Sequence, residues 1–145
     1  MWLIMNKERL YDIIRNIKET LSLLDKGLLK LDTVEDEDMI EFIKSSVKQS
    51  FLEYFILVEN FTSLCLKELK LYKISDDMEK CLKKLYDNNI IDEQTFTFLN
   101  QYRRYRNRIA HVYKQPSIEE IILFAKKNRG NIDRVIGIMN DMYKK

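Results

Sequence analysis

Apolar residues recur at spacings of three and four along most of this chain, which is the period of an α-helix with one buried face. The first such stretch runs from Lys7 to about Leu29, with apolar residues at Leu10, Ile13, Ile14, Ile17, Leu21, Leu24 and Leu28. A second stretch, from about Asp38 to Leu71, is apolar on more than one face, especially in FLEYFILVENF. We therefore predict two long helices, of which the second is central or faces a second subunit.

Polar residues with helix-capping side chains mark two more helices downstream. Ser75 or Asp76 is the expected N-cap of a short third helix, which stops near Asn88 because asparagine tolerates the left-handed backbone that ends helices. Asp92 is the expected N-cap of the fourth helix. Its core stripe falls at Phe98, Tyr102, Tyr105, Ile109 and Val112, and a second stripe at Leu99, Arg103, Arg106, Ala110 and Tyr113.

A fifth helix is predicted to begin after Ser117, because Glu120 three residues later completes a capping box, and to run to about Met142.

Six acidic residues and no basic residue lie between Asp32 and Glu41. They indicate a solvated loop that leads into the N-terminus of the second helix, where the helix dipole favours negative charge. The whole pattern predicts an all-α fold, a bundle of five helices.

Composition agrees with this prediction. The 145 residues are 46% hydrophobic and 33% charged, which is typical of one globular domain, expected here over residues 1–145. Three glycines and one proline supply little of the turn chemistry that a β-rich fold needs. The net charge of +2 is too small to indicate nucleic-acid binding by itself, so any such argument has to be local.

The sequence favours a cytoplasmic location. Cys65 and Cys81 have no metal-ligand spacing, and two isolated cysteines suit a reducing compartment. The opening MWLIM is too short for a signal segment, and no stretch approaches the length of a membrane span. Translation starting at Met5 would make Trp2 part of a short extension, whereas a start at Met1 would let Trp2 pack on a neighbouring helix.

The stretch RYRNRIAHVYKQP, from Arg104 to Pro116, holds the only histidine and the only proline of the chain. Between Gln101 and Lys114 there are five basic residues and no acid, namely Arg103, Arg104, Arg106, Arg108 and Lys114. This cluster predicts a local phosphate-binding patch, and any exposed tyrosine among these bases has a ring on which an unpaired base can stack. The alternative for Arg103, Arg104 and Arg108 is solvation, or pairing with the acids of residues 32–41.

Arg106 and His111 do not share a face of a continuous helix. Five residues rotate a position by roughly 140° on an α-helix of ~3.6 residues per turn. A joint site therefore requires that the helix fray near Ala110, which Pro116 favours, or that two subunits meet across a two-fold axis. Tyr113, seven residues after Arg106, projects on nearly the same side as the arginine, and residue spacing alone leaves it open whether its ring is core or surface.

Arginine and histidine together suit metal-independent RNA cleavage. Histidine titrates near neutral pH and can take the proton of a 2′-hydroxyl, while arginine offers a fixed charge to the phosphate oxygens. Such a reaction leaves a 2′,3′-cyclic phosphate and a 5′-hydroxyl. Because each chain has one histidine, separate acid and base histidines require two subunits.

The segment Arg106 to Tyr113, RNRIAHVY, fits the pattern R-x-x-x-x-H-x-Y with asparagine directly after the first arginine. This motif lies at the end of the fourth predicted helix and resembles the motif of the HEPN superfamily. Because it includes the tyrosine, it is similar to the motif of the HepT-like branch, which consists of bacterial toxins. The resemblance covers nearly the whole chain from about Asn6.

The resemblance implies a homodimeric, metal-independent endoribonuclease that uses no cofactor and acts as the toxin of a type VII toxin–antitoxin system. It implies Arg106 and His111 as catalytic residues and Asn107 as a supporting residue. The implied partners are RNA and a minimal nucleotidyltransferase antitoxin, which adds AMP to the motif tyrosine, here Tyr113. Two alternatives stay open: a non-catalytic, substrate-binding partner of a nucleotidyltransferase, or a helical dimerisation module with a vestigial motif.

Overall fold

The chain folds as a bundle of helices. The computed structural model describes residues 6–145, so both interpretations of Trp2 lie outside the described residues. Within this range the elements are α1 (Lys7–Leu31), α2 (Glu37–Glu68), α3 (Met78–Asp87), α4 (Glu93–Ala110), a 3₁₀ turn (Val112–Lys114), α5 (Ile118–Lys127) and α6 (Arg129–Lys144). No strand occurs between residues 6 and 145, which confirms the all-α prediction. Over the same residues, no helix combines the length and the apolar character that crossing a bilayer requires.

Side-chain caps fix where most helices begin. Asp36 caps α2 by accepting hydrogen bonds from the backbone amides of Asp38 at 2.9 Å and Met39 at 3.2 Å, so the acidic run does supply the helix N-terminus. The cap of α3 is Asp77, which accepts from the Lys80 amide at 2.9 Å. The prediction of Ser75 or Asp76 was wrong.

The carboxylate of Asp76 has a different role, since it binds the Lys84 ammonium on α3 and is not available as a cap. This contact also lowers the pKa of Asp76, chiefly through the hydrogen bond from Lys84. After α3, the left-handed residue is Asn89, with φ of 59°, one position beyond the predicted Asn88.

The predicted fifth helix is two helices, α5 and α6, with an interruption at Asn128. Asn128 leaves the helical region at φ −105° and ψ 17°, and its side-chain amide donates to the Phe124 carbonyl at 3.0 Å. That bond satisfies a carbonyl at the end of α5, as C-terminal caps do. The start of α5 is as predicted, because Ser117 Oγ accepts from the Glu120 amide at 3.1 Å.

Helix α2 is central, as its apolar pattern predicted. It packs against α1, α3, α4 and α5, and aromatic rings fill the space between α2, α4 and α5. Phe51 and Tyr102 stack with ring centroids 4.2 Å apart, and the Tyr102 hydroxyl donates to the Phe51 carbonyl at 2.6 Å. This contact joins α2 to the helix that carries the arginine–histidine motif and fixes their relative position.

Three large apolar side chains of α2, Met39, Phe42 and Ile56, are exposed in the described chain. Phe42 is 72% exposed and Ile56 is 43% exposed, although both lie in the apolar pattern of the second helix. Isolated exposed apolar residues are common on protein surfaces. Phe42 and Ile56 nevertheless lie on a central helix, at positions that the rest of the described chain does not cover.

Candidate active site

The arginine–histidine motif lies where α4 ends. The helix stops at Ala110, and His111 follows as its C-cap with extended backbone at φ −101° and ψ 106°. Pro116, which is buried, restricts Gln115 to extended geometry, and Gln115 has ψ of 134°. The helix therefore ends between Arg106 and His111, which is the condition that the first of the two routes to a joint site requires.

Arg106, in the last two turns of α4, is held by residues of α2. Its Nη2 donates to Glu59 Oε2 at 2.8 Å, and its guanidinium carbon lies 5.3 Å from the centre of the Phe55 ring. Both side chains of the ion pair are about 30% exposed, at 30% for Arg106 and 31% for Glu59. The Nε atom of Arg106 is buried and has no hydrogen-bond partner among the described residues. The guanidinium is thus fixed from one side and open on another.

His111 and Tyr113 lie at the surface beyond the helix end. Their ring centroids are 6.0 Å apart, and the Tyr113 side chain is 80% exposed, so Tyr113 is a surface residue and not part of the core. The backbone of His111 is held at both sides: its amide donates to the Arg108 carbonyl at 3.1 Å, and its carbonyl accepts from the Lys114 amide at 2.9 Å. The imidazole therefore stands on a fixed backbone and faces solvent.

The described chain brings His111 next to Tyr113, but it does not join His111 to Arg106. The contacts of the Arg106 guanidinium run to Glu59 and Phe55, and the ring contact of His111 is with Tyr113. Asn107, next to the arginine, is exposed, and its side chain makes no hydrogen bond within residues 6–145. Arg106 and His111 therefore lie near the same end of α4, but different contacts hold them: side chains of α2 hold the arginine, and backbone hydrogen bonds hold the histidine.

Carboxylates from other helices pair with two of the three remaining arginines. Arg103 lies 3.3 Å from Glu79 of α3, and Arg108 lies 3.5 Å from Glu120 of α5. The acids of residues 32–41 are not the partners, which corrects that interpretation. Arg104 is exposed and makes no ion pair with the described part of the chain. The sequence shows five bases with no acid between them, whereas the fold places three carboxylates beside three of the arginines.

The four arginines also point in two directions. Arg103 and Arg106 contact α3 and α2, whereas Arg104 and Arg108 line a groove of about 630 Å³ between α4 and α5. Tyr105 contributes to this groove, whose full lining is Gln101, Arg104, Tyr105, Arg108, Glu120, Leu123, Phe124, Lys127 and Asn128. Lys114 stands apart, with its ammonium 5.4 Å from the centre of the Tyr113 ring. Positive charge therefore surrounds the end of α4 instead of forming one face.

Sequence reasoning missed Glu59, Glu79 and Glu120 as neighbours of the arginines. Glu59 is 47 residues from Arg106 and lies in an apolar stretch, where no pattern of charge indicates a partner. Glu120 was recognised as part of a helix cap, and its amide does bond Ser117, but its carboxylate turns to Arg108. A helical projection of α4 alone does not show which acid of another helix each arginine meets.

Comparison with known proteins adds one match. A family model described as ribonuclease HepT-like matches residues 10–137 of this chain. Curated proteins and solved structures give no match to it. Within residues 6–145, no group of three or more histidine, cysteine, aspartate or glutamate side chains is arranged to hold a metal ion.

Proposed function

This chain belongs to the HepT-like ribonuclease family, and on that premise we propose that it is a metal-independent endoribonuclease. The observation that carries the proposal is the arrangement at the end of α4, where an anchored arginine precedes an exposed histidine on a fixed backbone. These two side chains provide a cation and a proton-transfer group, which together suit metal-independent cleavage of RNA.

In the proposed reaction, His111 takes the proton of a ribose 2′-hydroxyl, and the 2′-oxygen attacks the adjacent phosphorus. The bond from phosphorus to the 5′-oxygen breaks, and that oxygen leaves with a proton from an imidazolium. Arg106 neutralises the charge that grows on the non-bridging oxygens. The products are a 2′,3′-cyclic phosphate and a 5′-hydroxyl. Asn107, exposed beside Arg106, is proposed to hold the substrate and not to take part in proton transfer.

We further propose that two copies form the working enzyme. One histidine per chain cannot act as base and acid in the same step, so the imidazolium that donates the second proton belongs to the other copy. The exposed Phe42 and Ile56 on α2 supply apolar surface for such a contact. Light scattering at micromolar concentration should give the mass of a dimer, and a monomer would remove the shared mechanism.

Arg103, Arg104, Arg108 and Lys114 are proposed to bind the RNA backbone. Arg104 is the strongest candidate of these, because it is exposed, lies in the groove between α4 and α5, and makes no ion pair with the described part of the chain. Arg103 and Arg108 each have one, so part of their charge is already balanced. Tyr105 and Leu123 in the same groove offer apolar surface to an unpaired base.

The proposal extends to a toxin–antitoxin system in the bacterial cytoplasm, with a minimal nucleotidyltransferase as the antitoxin and Tyr113 as the residue that receives AMP. The exposure of Tyr113, at 80%, gives an enzyme access to its hydroxyl. Its ring lies 6.0 Å from that of His111 between centroids, which supports the proposal that an attached nucleotide lies against the reacting group. Each AMP carries a phosphate that the basic side chains nearby bind at high effective concentration, which excludes RNA.

Expression of wild-type and His111→Ala protein in a bacterial host tests the function. The wild type should slow growth and fragment RNA, and the variant should do neither. With purified protein in EDTA, the fragments should accept phosphate from a 5′-kinase without prior phosphatase treatment, because they carry 5′-hydroxyls. Equal fragmentation by the variant, or loss of cleavage on adding EDTA, would refute the assignment. A wild type that binds the nucleotidyltransferase but cleaves no RNA supports the non-catalytic alternative.

A further inference from the structure

The partner of Arg106 on α2 has a specific geometry. Glu59 Oε2 accepts one hydrogen bond from Arg106 Nη2 at 2.8 Å, and Phe55, four residues earlier on the same helix, lies under the guanidinium at 5.3 Å. The carboxylate therefore fixes the edge of the guanidinium plane, and the ring fixes its face. Of the five N–H groups of an arginine, those on Nη1 stay available to a ligand in this arrangement.

The contacts that hold Arg106 contribute little to stability, but they restrict the conformations of its side chain. A partly exposed ion pair contributes only ~0–1 kcal/mol to folding, and this pair is about one-third exposed. An arginine side chain carries roughly 2 kcal/mol of rotamer entropy, which a free side chain loses when it binds a phosphate. A guanidinium that is already held loses less of it at the moment of reaction, which is the advantage of preorganisation.

We propose that Glu59 is a positioning residue for the reaction, one that holds Arg106 with its Nη1 edge directed to the scissile phosphate. This inference rests on the proposed ribonuclease function and adds a residue that the motif does not contain. Glu59 touches the arginine and not the RNA. Its negative charge also repels the phosphate, so the anchor improves the geometry of the transition state at some cost in affinity for the substrate.

Kinetics should separate positioning from a purely structural role. In Glu59→Ala the freed arginine should lower kcat by roughly 10- to 100-fold, the range that small misplacements of catalytic groups produce. KM for RNA should not rise, since a repelling carboxylate has been removed. Glu59→Gln should recover part of kcat, because its amide oxygen can still accept from Nη2, although without the charge that strengthens the bond.

Glu79→Ala is the matched control. It removes a carboxylate that also pairs with an arginine of α4, since Glu79 lies 3.3 Å from Arg103. Its kcat should stay within about twofold of the wild-type value, in contrast to the loss of about 10-fold or more in Glu59→Ala. Wild-type kcat in Glu59→Ala would overturn the proposal. So would a loss of kcat/KM that comes from a higher KM at unchanged kcat, since that is the signature of weaker substrate binding.

A measurement that needs no cleavage completes the test. Because Arg106 Nε is buried, its N–H should give a resolved, slowly exchanging signal in a ¹H–¹⁵N spectrum, assigned by its absence in Arg106→Lys. Glu59→Ala should move this signal to the position of free arginines, and Glu79→Ala should leave it in place. An unmoved signal in Glu59→Ala overturns the proposal even if the enzyme is active. If the wild type cleaves no RNA, the ribonuclease function fails, and the spectrum alone decides whether Glu59 fixes Arg106.

Discussion

Arg106→Ala provides the most direct test of the site, because the structure predicts a large effect on cleavage and a small one on folding. The substitution removes the hydrogen bond to Glu59 at 2.8 Å and the contact with the Phe55 ring at 5.3 Å. It also removes the cation that is proposed to face the phosphate. Loss of one such group typically lowers kcat by ~10²–10³.

The effect on stability follows from exposure. An ion pair whose two members are about one-third exposed contributes roughly 0–1 kcal/mol, and an exposed cation–π contact contributes about 0.5–1 kcal/mol. Glu59 can turn to solvent when its partner is gone, and the buried Nε no longer has to be accommodated. We therefore expect the free energy of unfolding to fall by about 1 kcal/mol, which lowers Tm by roughly 2–4 °C for a chain of this size.

The assay pairs cleavage of a fluorogenic RNA in EDTA with thermal unfolding followed by circular dichroism. Arg134→Ala serves as the control, because Arg134 is also an exposed arginine in an ion pair, with Asp92, and lies outside the motif. It should lose a similar amount of stability and keep its activity. Arg106→Ala activity within about threefold of wild type would refute the assignment. A Tm that falls by more than about 10 °C would refute the reasoning on packing.

Three further predictions concern other residues. Tyr113→Phe should keep most of the nuclease activity but escape neutralisation by the cognate nucleotidyltransferase, with no AMP found on the peptide by mass spectrometry; silencing equal to wild type would contradict this. Gly27→Ala should lower the midpoint of urea unfolding, because its Cβ would lie 2.7 Å from Val47 Cγ2 and overpacking costs about 1–3 kcal/mol, whereas Gly137→Ala, with nothing within 4 Å, should raise it. Burial raises the pKa of Tyr102. The stability that the neutral Tyr102 hydroxyl contributes is therefore complete below pH ~10, the pKa of tyrosine in an unfolded chain, and is lost as the pH rises through the pKa of Tyr102 in the folded protein. Unfolding midpoints measured from pH 9 to 11 should therefore fall less steeply in Tyr102→Phe, and equal slopes would contradict the pKa argument.

The helices were predictable because their signals are local. The apolar spacing of α1 and the acidic start of α2 depend on neighbours three or four residues away, and both helices lie within three residues of their predicted ends. The misplaced cap of α3 shows the limit of this reasoning. Asp76 and Asp77 are equivalent as caps in sequence, and only the approach of Lys84 in the folded chain distinguishes them.

The site was predictable in its residue types and not in its electrostatics. The spacing of Arg106, His111 and Tyr113 can be read from the sequence, as can the presence of Pro116 beyond the helix end. The carboxylates that meet the arginines come from α2, α3 and α5, and their positions depend on how the helices pack. A count of charges along the chain therefore overstates the positive charge that a ligand meets.

The end of α4 at Ala110 makes the motif unequally tolerant of insertions and deletions. Between Arg106 and Ala110 the backbone is helical, so one added residue would turn the end of the helix by roughly 100° and change the position of His111 relative to the arginine that Glu59 holds. Between His111 and Tyr113 the backbone is an extended residue followed by a 3₁₀ turn, which can lengthen without rotating α4. The distance in sequence from arginine to histidine should therefore be rigid among working relatives, and the distance from histidine to tyrosine should vary.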